Sequence, residues 1–176
     1  AAVTVKDADG ATVSTATDAR GSYRADVTRL HAPYVLAVTG GTVRGVANTQ
    51  DLHAVATQSG TANVTPLTEL LVASLVKLDP ASFFANVHTT DDLDTVVITE
   101  DNIVTAQDAV VDFLLDTDVS RITPVDVSTV GPFITEVFEA KRGDPMDDAL
   151  RALRQALAEA GTDLAQLSSR LIDTAN

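Results

Sequence analysis

The chain has 176 residues, of which 45% are hydrophobic and 21% charged, with no cysteine and no tryptophan. This composition is typical of a globular protein, and without cysteine neither a disulfide nor a cysteine-ligated metal can stabilise the fold. The net charge of −13 disfavours phosphate backbones and anionic lipid headgroups, so neither nucleic acid nor a membrane surface is an expected partner, and no apolar run approaches the roughly 20 residues that span a bilayer.

Residues 1–63 alternate apolar and polar side chains in short runs that turn residues separate. Asp9-Gly10 is a dipeptide favoured in type I′ hairpin turns, and Gly40-Gly41 ends a more continuous apolar run. Turns that recur every 8–12 residues or so are typical of a small antiparallel β-sandwich. The predicted strands lie at 3–6, 12–17, 23–27, 34–38, 43–47 and 52–56.

From residue 64 the pattern changes to that of helices. Thr65-Pro66, Asp79-Pro80 and Asp144-Pro145 each place a capping side chain before a proline suited to the first helical position, and Thr99 is a further N-cap. Gly161 is predicted to end one helix, and Asp163 to begin the last. The predicted apolar stripes are Leu67, Leu70, Leu71, Ser74, Leu75 and Leu78; Ile103, Ala106, Val110, Phe113 and Leu114; Met146, Leu150, Leu153 and Leu157; and Leu164, Leu167 and Leu171.

We therefore predict an α+β protein, in which a β-sandwich (residues 1–63) precedes an α-helical domain (residues 64–176). Residues 117–132 lack periodicity and are predicted to be a connection. The first domain carries five basic and five acidic side chains, whereas the second carries seven and twenty, so the whole negative excess lies in the helical domain. The junction at 63–66 is too short for a flexible linker, and Phe83-Phe84 is predicted to pack between the two domains.

Two runs near the beginning of the chain carry a resemblance to a known family. They are Val-Thr-Val-Lys-Asp-Ala-Asp-Gly at 3–10 and Thr-Asp-Ala-Arg-Gly-Ser-Tyr at 17–23. Both resemble the carboxypeptidase regulatory-like family, which implies a transthyretin-like (prealbumin-like) sandwich of seven strands. The likeness covers about the first 40 residues.

The following residues resemble uncharacterised proteobacterial envelope lipoproteins. The segments concerned are 32–48, 60–68 and 99–111, and in those lipoproteins a sandwich leads into helices at an Asn-Val-Thr-Pro-Leu-Thr junction such as that at 63–68. The resemblance implies a bacterial, extracytoplasmic location. Family members have an additional strand before the Val-Thr-Val strand, so the first strand of the sandwich is predicted to be missing and the sandwich to have an open edge, through which the chain could self-associate.

Two acidic groups are candidate cation sites. The run Asp7-Ala-Asp9-Gly10 has the beginning of a calcium loop, but it lacks the later oxygen ligands, so we interpret it as a hairpin turn. Asp91, Asp92 and Asp94 form a denser cluster that could hold a hard cation with His88, although acids near a helix N-terminus also interact favourably with the helix dipole. We therefore predict no resident metal or cofactor.

Catalytic motifs are weak in this sequence. The histidines, His31, His53 and His88, do not have a metal-ligand spacing. Gln58-Ser59-Gly60 is the segment most similar to a nucleophile elbow, but we interpret it as a turn and not as part of a triad with His53. We predict a non-catalytic domain that binds or scaffolds a protein or another envelope component. The alternatives are an adhesin or assembly subunit that accepts a donor strand, and a metal-assisted hydrolase.

Overall fold

The computed structural model describes residues 1–43, 45–88 and 98–174. The described strands are β1 (Ala2–Lys6), β2 (Thr12–Ala16), β3 (Tyr34–Thr39), β4 (Thr42–Val43), β5 (Val46–Ala47) and β6 (Leu52–Ala56). The described helices are α1 (Pro66–Val76), α2 (Pro80–Asn86), α3 (Glu100–Leu115), α4 (Thr117–Ser120), α5 (Pro145–Ala160) and α6 (Leu164–Thr174). An N-terminal antiparallel sheet followed by helices confirms the predicted α+β class.

The sheet has four strands in the order β2-β1-β3-β6, and every neighbouring pair is antiparallel. Val5 lies opposite Val13 on one side and Leu36 on the other, and Leu36 lies opposite Ala54. Strand β1 is therefore paired along both of its edges, and the free edges of the sheet are those of β2 and β6. Strands β4 and β5 form a separate two-stranded hairpin.

The sheet contributes to a different hydrophobic cluster on each face. On the inner face, Val35 and Val55 belong to the same buried cluster as the helices. On the outer face, Val5, Leu36 and Ala54 form a smaller cluster, which residues 23–30 partly cover. Because side chains alternate across a strand, β3 and β6 supply apolar residues to both clusters.

Helix α1 is the centre of the helical region. Its N-cap Thr65 and its third helical residue Thr68 exchange side-chain and backbone hydrogen bonds in a capping box. The residues of α1 from Leu67 to Ala73 are all buried, because the helix lies between β6, α3 and α6. The apolar stripe predicted for this helix is confirmed at Leu67, Leu70 and Leu71. The burial also includes the polar residues Thr68 and Glu69, which the stripe did not predict, and Leu78, at the end of the stripe, is beyond the helix and exposed.

The other predicted helix boundaries are confirmed. The carboxylates of Asp79 and Asp144 and the hydroxyl of Thr99 accept hydrogen bonds from amides in the first turns of α2, α5 and α3. Gly161 adopts the left-handed conformation (φ 62°) that ends α5. None of the described helices is both long enough and apolar enough to cross a lipid bilayer.

Two strand predictions for the N-terminal half were wrong in detail. The predicted strand at 23–27 forms no strand in the structure, and the predicted strand at 43–47 is interrupted between β4 and β5. The hairpin that joins β1 to β2 is confirmed, and its loop consists of residues 7–11, which the predicted strands at 3–6 and 12–17 leave between them. Asp7 fixes this turn, because its Oδ1 accepts hydrogen bonds from the amides of Asp9 and Ala11.

The predicted connection at 117–132 is also different in the structure. It begins with α4 and continues without regular structure to α5, which begins at Pro145. It contributes much of the helical core, because six of its apolar residues, at irregular spacing, are buried there: Ile122, Val125, Val127, Val130, Phe133 and Ile134. Asn63 ties the junction to this segment, since its amide nitrogen Nδ2 donates to the carbonyls of Phe133 and Glu136.

Candidate functional site

A groove of about 1200 Å³ lies over the outer face of the sheet. Sheet residues Val5, Leu36 and Val38 line it, together with residues from the segments 17–27, 56–65 and 137–140. Val137 is 80% exposed at this groove, and Ala62, Val64 and Phe138 are half-buried. The groove therefore offers an apolar lining that the chain only partly covers.

Residues 23–27, which we call the unpaired segment, line this groove without joining the sheet. Tyr23, Ala25 and Val27 are half-buried against the outer-face cluster, while Arg24 and Asp26 are exposed. This alternation is that of an extended chain. Among the described residues, however, the backbone N–H groups of residues 23–27 and the carbonyls of residues 23–26 have no hydrogen-bond partner. The unpaired segment thus has the side-chain pattern of a strand and lacks its ladder.

Turns at both ends hold the unpaired segment in place. Before it, the carboxylate of Asp18 accepts hydrogen bonds from the amides of Arg20 and Ser22. At its C-terminal end, the carboxylate of Asp26 accepts from both the amide and the hydroxyl of Thr28, and these bonds lower the pKa of Asp26. Since each acid bonds amides of its own turn, the ends of the segment are fixed by local chemistry.

Tyr23 connects the unpaired segment to the segment that follows β6. Its hydroxyl donates to the carbonyl of Ala62 at 2.5 Å. Burial raises the pKa of Tyr23 to about 12, because the phenolate would lose its hydration there. The ring therefore stays neutral and remains a donor at physiological pH.

Basic groups are over-represented along this groove. Arg20 and Arg24 line it, with Asp18 as the acidic side chain among the lining residues. In the described part of the chain neither guanidinium takes part in an ion pair. Asp18 is occupied by amides of its own turn. The charged side chains that line the groove are therefore two arginines and one aspartate, on a protein with a net charge of −13.

A second cluster joins the β1–β2 loop to His31. Asp7, Asp9 and His31 each offer a ligand atom within 4.8 Å of the others. The Nδ1 atom of His31 lies 2.7 Å from Asp9 Oδ2, and this hydrogen bond raises the pKa of the exposed imidazole. Asp7 is buried, and its Oδ2 accepts from the backbone amide of His31 while its Oδ1 accepts from Asp9 and Ala11. Because backbone amides engage both Asp7 oxygens, the cluster acts as a clasp that fixes the loop.

The predicted metal cluster is only partly within the described residues. Asp91, Asp92 and Asp94 lie outside them, and His88 is exposed. The sequence analysis found no metal-ligand spacing that includes His31, whereas the structure places His31 beside Asp7 and Asp9. Its 22-residue separation from Asp9 gave no signal, because the contact depends on how the chain returns across the outer face of the sheet.

His53 has a structural role in the interior. It is 3% exposed, and both its backbone N–H and its ring Nδ1 bond Glu69 Oε2, at 2.5 and 2.9 Å. Its ring also packs against that of Phe84, with centroids 5.8 Å apart. Ser59 lies in an exposed loop. Among the described residues, the hydrogen bond of the His53 ring is with Glu69, and no serine hydroxyl is bonded to it.

Lys6 completes the packing around Phe84. Its ammonium donates to the Phe84 carbonyl at 2.6 Å and lies 4.5 Å from the ring centroid. Burial lowers the pKa of Lys6. These contacts join β1 to α2, and Phe83 also packs against the helical core, so the predicted packing of Phe83-Phe84 between sheet and helices is confirmed.

Comparisons with known proteins assign no family to this geometry. Among protein-family models, curated proteins and solved structures, the chain matches none. The resemblance to carboxypeptidase regulatory-like domains therefore stays a prediction from the residues at 3–10 and 17–23.

Proposed function

We propose that the chain is a non-catalytic binding or scaffolding domain of a bacterial envelope lipoprotein or secreted protein, and that the groove over the outer face of its sheet holds the partner. The bacterial, extracytoplasmic location is supported by the resemblance of residues 32–48, 60–68 and 99–111 to envelope lipoproteins. The partner is a protein, because the dimensions and lining of the groove suit a polypeptide segment.

The groove is the observation that carries this proposal. Small-molecule pockets are typically concave cavities of about 300–1,000 Å³ with a few convergent polar groups. This groove, at about 1200 Å³, is larger, and it is lined by side chains from the sheet and from three loop segments. Apolar side chains beside charged ones at the margin are the usual composition of a protein–protein interface.

The interior histidine supports a non-catalytic role. A catalytic base must be able to reach the proton that it abstracts. The His53 ring is buried and its Nδ1 is bonded to Glu69. The ring does not line the groove and packs against Phe84.

The test is peptide selection followed by groove variants. Twelve-residue peptides from a random display library are selected on the immobilised protein, and their affinities are measured by fluorescence polarisation. Val137→Asp, which places a charge at the groove, is expected to weaken binding at least tenfold. Val104→Asp is the matched control, because Val104 is 60% exposed on α3 and does not line the groove.

The result that supports the proposal is a loss of affinity in Val137→Asp and unchanged affinity in Val104→Asp. Equal affinities in both variants would place the binding surface elsewhere and overturn the proposal. So would a selection that enriches no peptide.

A further inference from the structure

The unpaired segment contains a short stretch of free backbone with an engaged residue at each end. Within the described residues, the N–H groups of residues 23–27 and the carbonyls of residues 23–26 have no hydrogen-bond partner. The amides of Ser22 and Thr28, by contrast, both donate to aspartate carboxylates, and the carbonyl of Val27 accepts from an amide of its own turn. The free groups therefore suffice for a short ladder that ends at the two turns.

The exposed face of the unpaired segment carries one charge of each sign, two residues apart. Arg24 and Asp26 are exposed, while the alternate side chains are half-buried against the outer-face cluster. The Arg24 guanidinium has no ion pair with any described residue. Both bonds from Thr28 to Asp26 end on Oδ1, so within the same residues Oδ2 accepts no hydrogen bond. Each of the two charged groups can therefore bind a group of opposite charge from outside the chain.

Antiparallel pairing with a second copy of the segment places these charges opposite each other. When Ala25 of one copy lies opposite Ala25 of the other, Arg24 lies opposite Asp26 on both sides of the two-fold axis. A register shifted by two residues in either direction instead brings together two Arg24 or two Asp26 side chains. Opposite charges directly across a ladder are stabilising, and like charges are destabilising. The segment, Tyr-Arg-Ala-Asp-Val, is therefore complementary to itself in one register.

The free backbone fits the same register. In an antiparallel ladder, residue pairs that exchange both hydrogen bonds alternate with pairs that exchange none. If Arg24 and Asp26 form the hydrogen-bonded pairs, the ladder uses only N–H and C=O groups that are free within the described residues. The next such pair would join Ser22 to Thr28, whose amides are already engaged, so the ladder ends there. The alternate set of bonds would also need the engaged carbonyl of Val27.

The free edges of the sheet are less suited to such pairing. At the β6 edge, Glu69 accepts from the backbone N–H of His53, and the hydroxyl of Thr68 donates to its carbonyl at 3.0 Å. Side chains of α1 therefore already bond the backbone of this edge strand. Strand β2, Thr-Val-Ser-Thr-Ala, has no charged side chain that would select a register.

We propose that two copies of this chain associate through their unpaired segments, which pair antiparallel about Ala25 so that each Arg24 binds the Asp26 carboxylate of the other copy. This inference goes beyond the proposed function, because it concerns the backbone and the exposed side chains of the segment and does not require a peptide in the groove. A contact of this size is typical of a weak, reversible dimer, whose population depends on protein concentration.

The first test is sedimentation velocity of the full chain over a wide concentration series, which should show a reversible monomer–dimer equilibrium. Arg24→Glu places acidic side chains opposite each other at both ends of the pairing, so it is expected to raise the Kd of the dimer at least tenfold. Arg29→Glu is the matched control, because it makes the same change of charge at an exposed residue outside the free stretch. Its Kd should stay within twofold of the wild type.

A mixture of two variants tests the register. Asp26→Lys, like Arg24→Glu, brings like charges together in a pair of identical chains. In a mixed pair of one chain of each variant, opposite charges meet at both positions, so mixed dimers should form although neither variant dimerises alone. Because Asp26 also bonds the turn at Thr28, circular dichroism first establishes that its variant is folded like the wild type.

Amide exchange measured by NMR locates the interface without any substitution. The amides of Arg24 and Asp26 have no partner in the single chain, so they should exchange rapidly at low concentration. When most of the protein is dimeric, their exchange is expected to slow at least tenfold. The amide of Ala25 points away from the other copy in this ladder and should keep its rate.

Four results would overturn the inference. They are a chain that stays monomeric throughout the series, a dimer in which the amides of Arg24 and Asp26 exchange as fast as in the monomer, equal Kd values for Arg24→Glu and Arg29→Glu, and a mixture of folded variants that forms no mixed dimer. None of them decides the proposed function, which is judged by the peptide affinities of Val137→Asp and Val104→Asp. Conversely, a dimer with the expected protection upholds the inference even if selection enriches no peptide.

Discussion

Removal of the Glu69 carboxylate should destabilise the protein more than any other change to an acidic side chain in a first helical turn. Glu69 lies in the first turn of α1, and its side chain is 11% exposed. Its Oε2 accepts from two donors of His53, the backbone N–H and the ring. Both contacts end on the same carboxylate oxygen, so one substitution removes them together.

The magnitude follows from the two donors that Glu69→Ala leaves without an acceptor in the interior. An unsatisfied buried donor costs about 1–3 kcal/mol, so the substitution should lower the free energy of unfolding by about 3–5 kcal/mol. Glu69→Gln keeps one acceptor oxygen in place and should lose about half as much. Against a typical domain stability of about 5–15 kcal/mol, both losses are measurable.

The assay is urea unfolding followed by circular dichroism at 222 nm. Glu100→Ala is the matched control, because Glu100 also lies in a first helical turn and is exposed. Its loss should be about 1 kcal/mol or less, the ordinary interaction of an acid with the helix dipole. If Glu69→Ala costs no more than Glu100→Ala, the covering of the β6 edge by α1 contributes nothing to stability and the reasoning is refuted.

Three further predictions concern titration and packing. The hydrogen bond to Asp9 raises the pKa of His31. The stability that this bond supplies is therefore complete below the ordinary histidine pKa and is lost as pH rises through the raised pKa of His31. An NMR titration in which Asp9→Asn leaves the pKa of His31 unchanged would contradict this. Burial raises the pKa of Tyr23 to about 12, so its contribution to stability falls as pH rises from the unfolded value near 10; in a phenolate absorbance titration the step near 12 should disappear in Tyr23→Phe. Leu70→Ala, at a fully buried position, should cost about 2–5 kcal/mol in urea unfolding, while Leu78→Ala, at a residue that is 57% exposed, should change stability by less than about 0.5 kcal/mol.

The sequence predicts best where the physical cause is local. A capping side chain acts on amides two or three residues away, so Thr99 and Asp144 identify helix starts without knowledge of the fold. The same holds for Gly161, whose positive φ ends α5 through bonds to its own last turn. The loop at 7–11 is an intermediate case, because its Asp-Gly signal predicts a hairpin while Asp7 decides its length.

Prediction fails where a residue's environment depends on distant elements. The burial of α1 from Leu67 to Ala73 results from contacts with β6, α3 and α6. The apolar pattern does not show that the polar residues Thr68 and Glu69 also have neighbours there. The clasp between His31 and Asp9 likewise depends on the chain crossing the sheet. The burial of the irregular connection was not predicted for the same reason, because its buried residues, such as Ile122 and Val125, follow no regular period in the sequence.

The unpaired segment shows why a strand pattern and a strand are different things. The alternation of apolar side chains at Tyr23, Ala25 and Val27 requires only that one face of the segment packs on the outer-face cluster. A ladder needs in addition a neighbour with free N–H and C=O groups, and the sequence pattern carries no information about that neighbour. The prediction of a strand at 23–27 was therefore right about the side chains and wrong about the backbone. Side chains of α1 bond the backbone of His53 at the β6 edge, whereas no such bonds reach residues 23–27 within the described part of the chain.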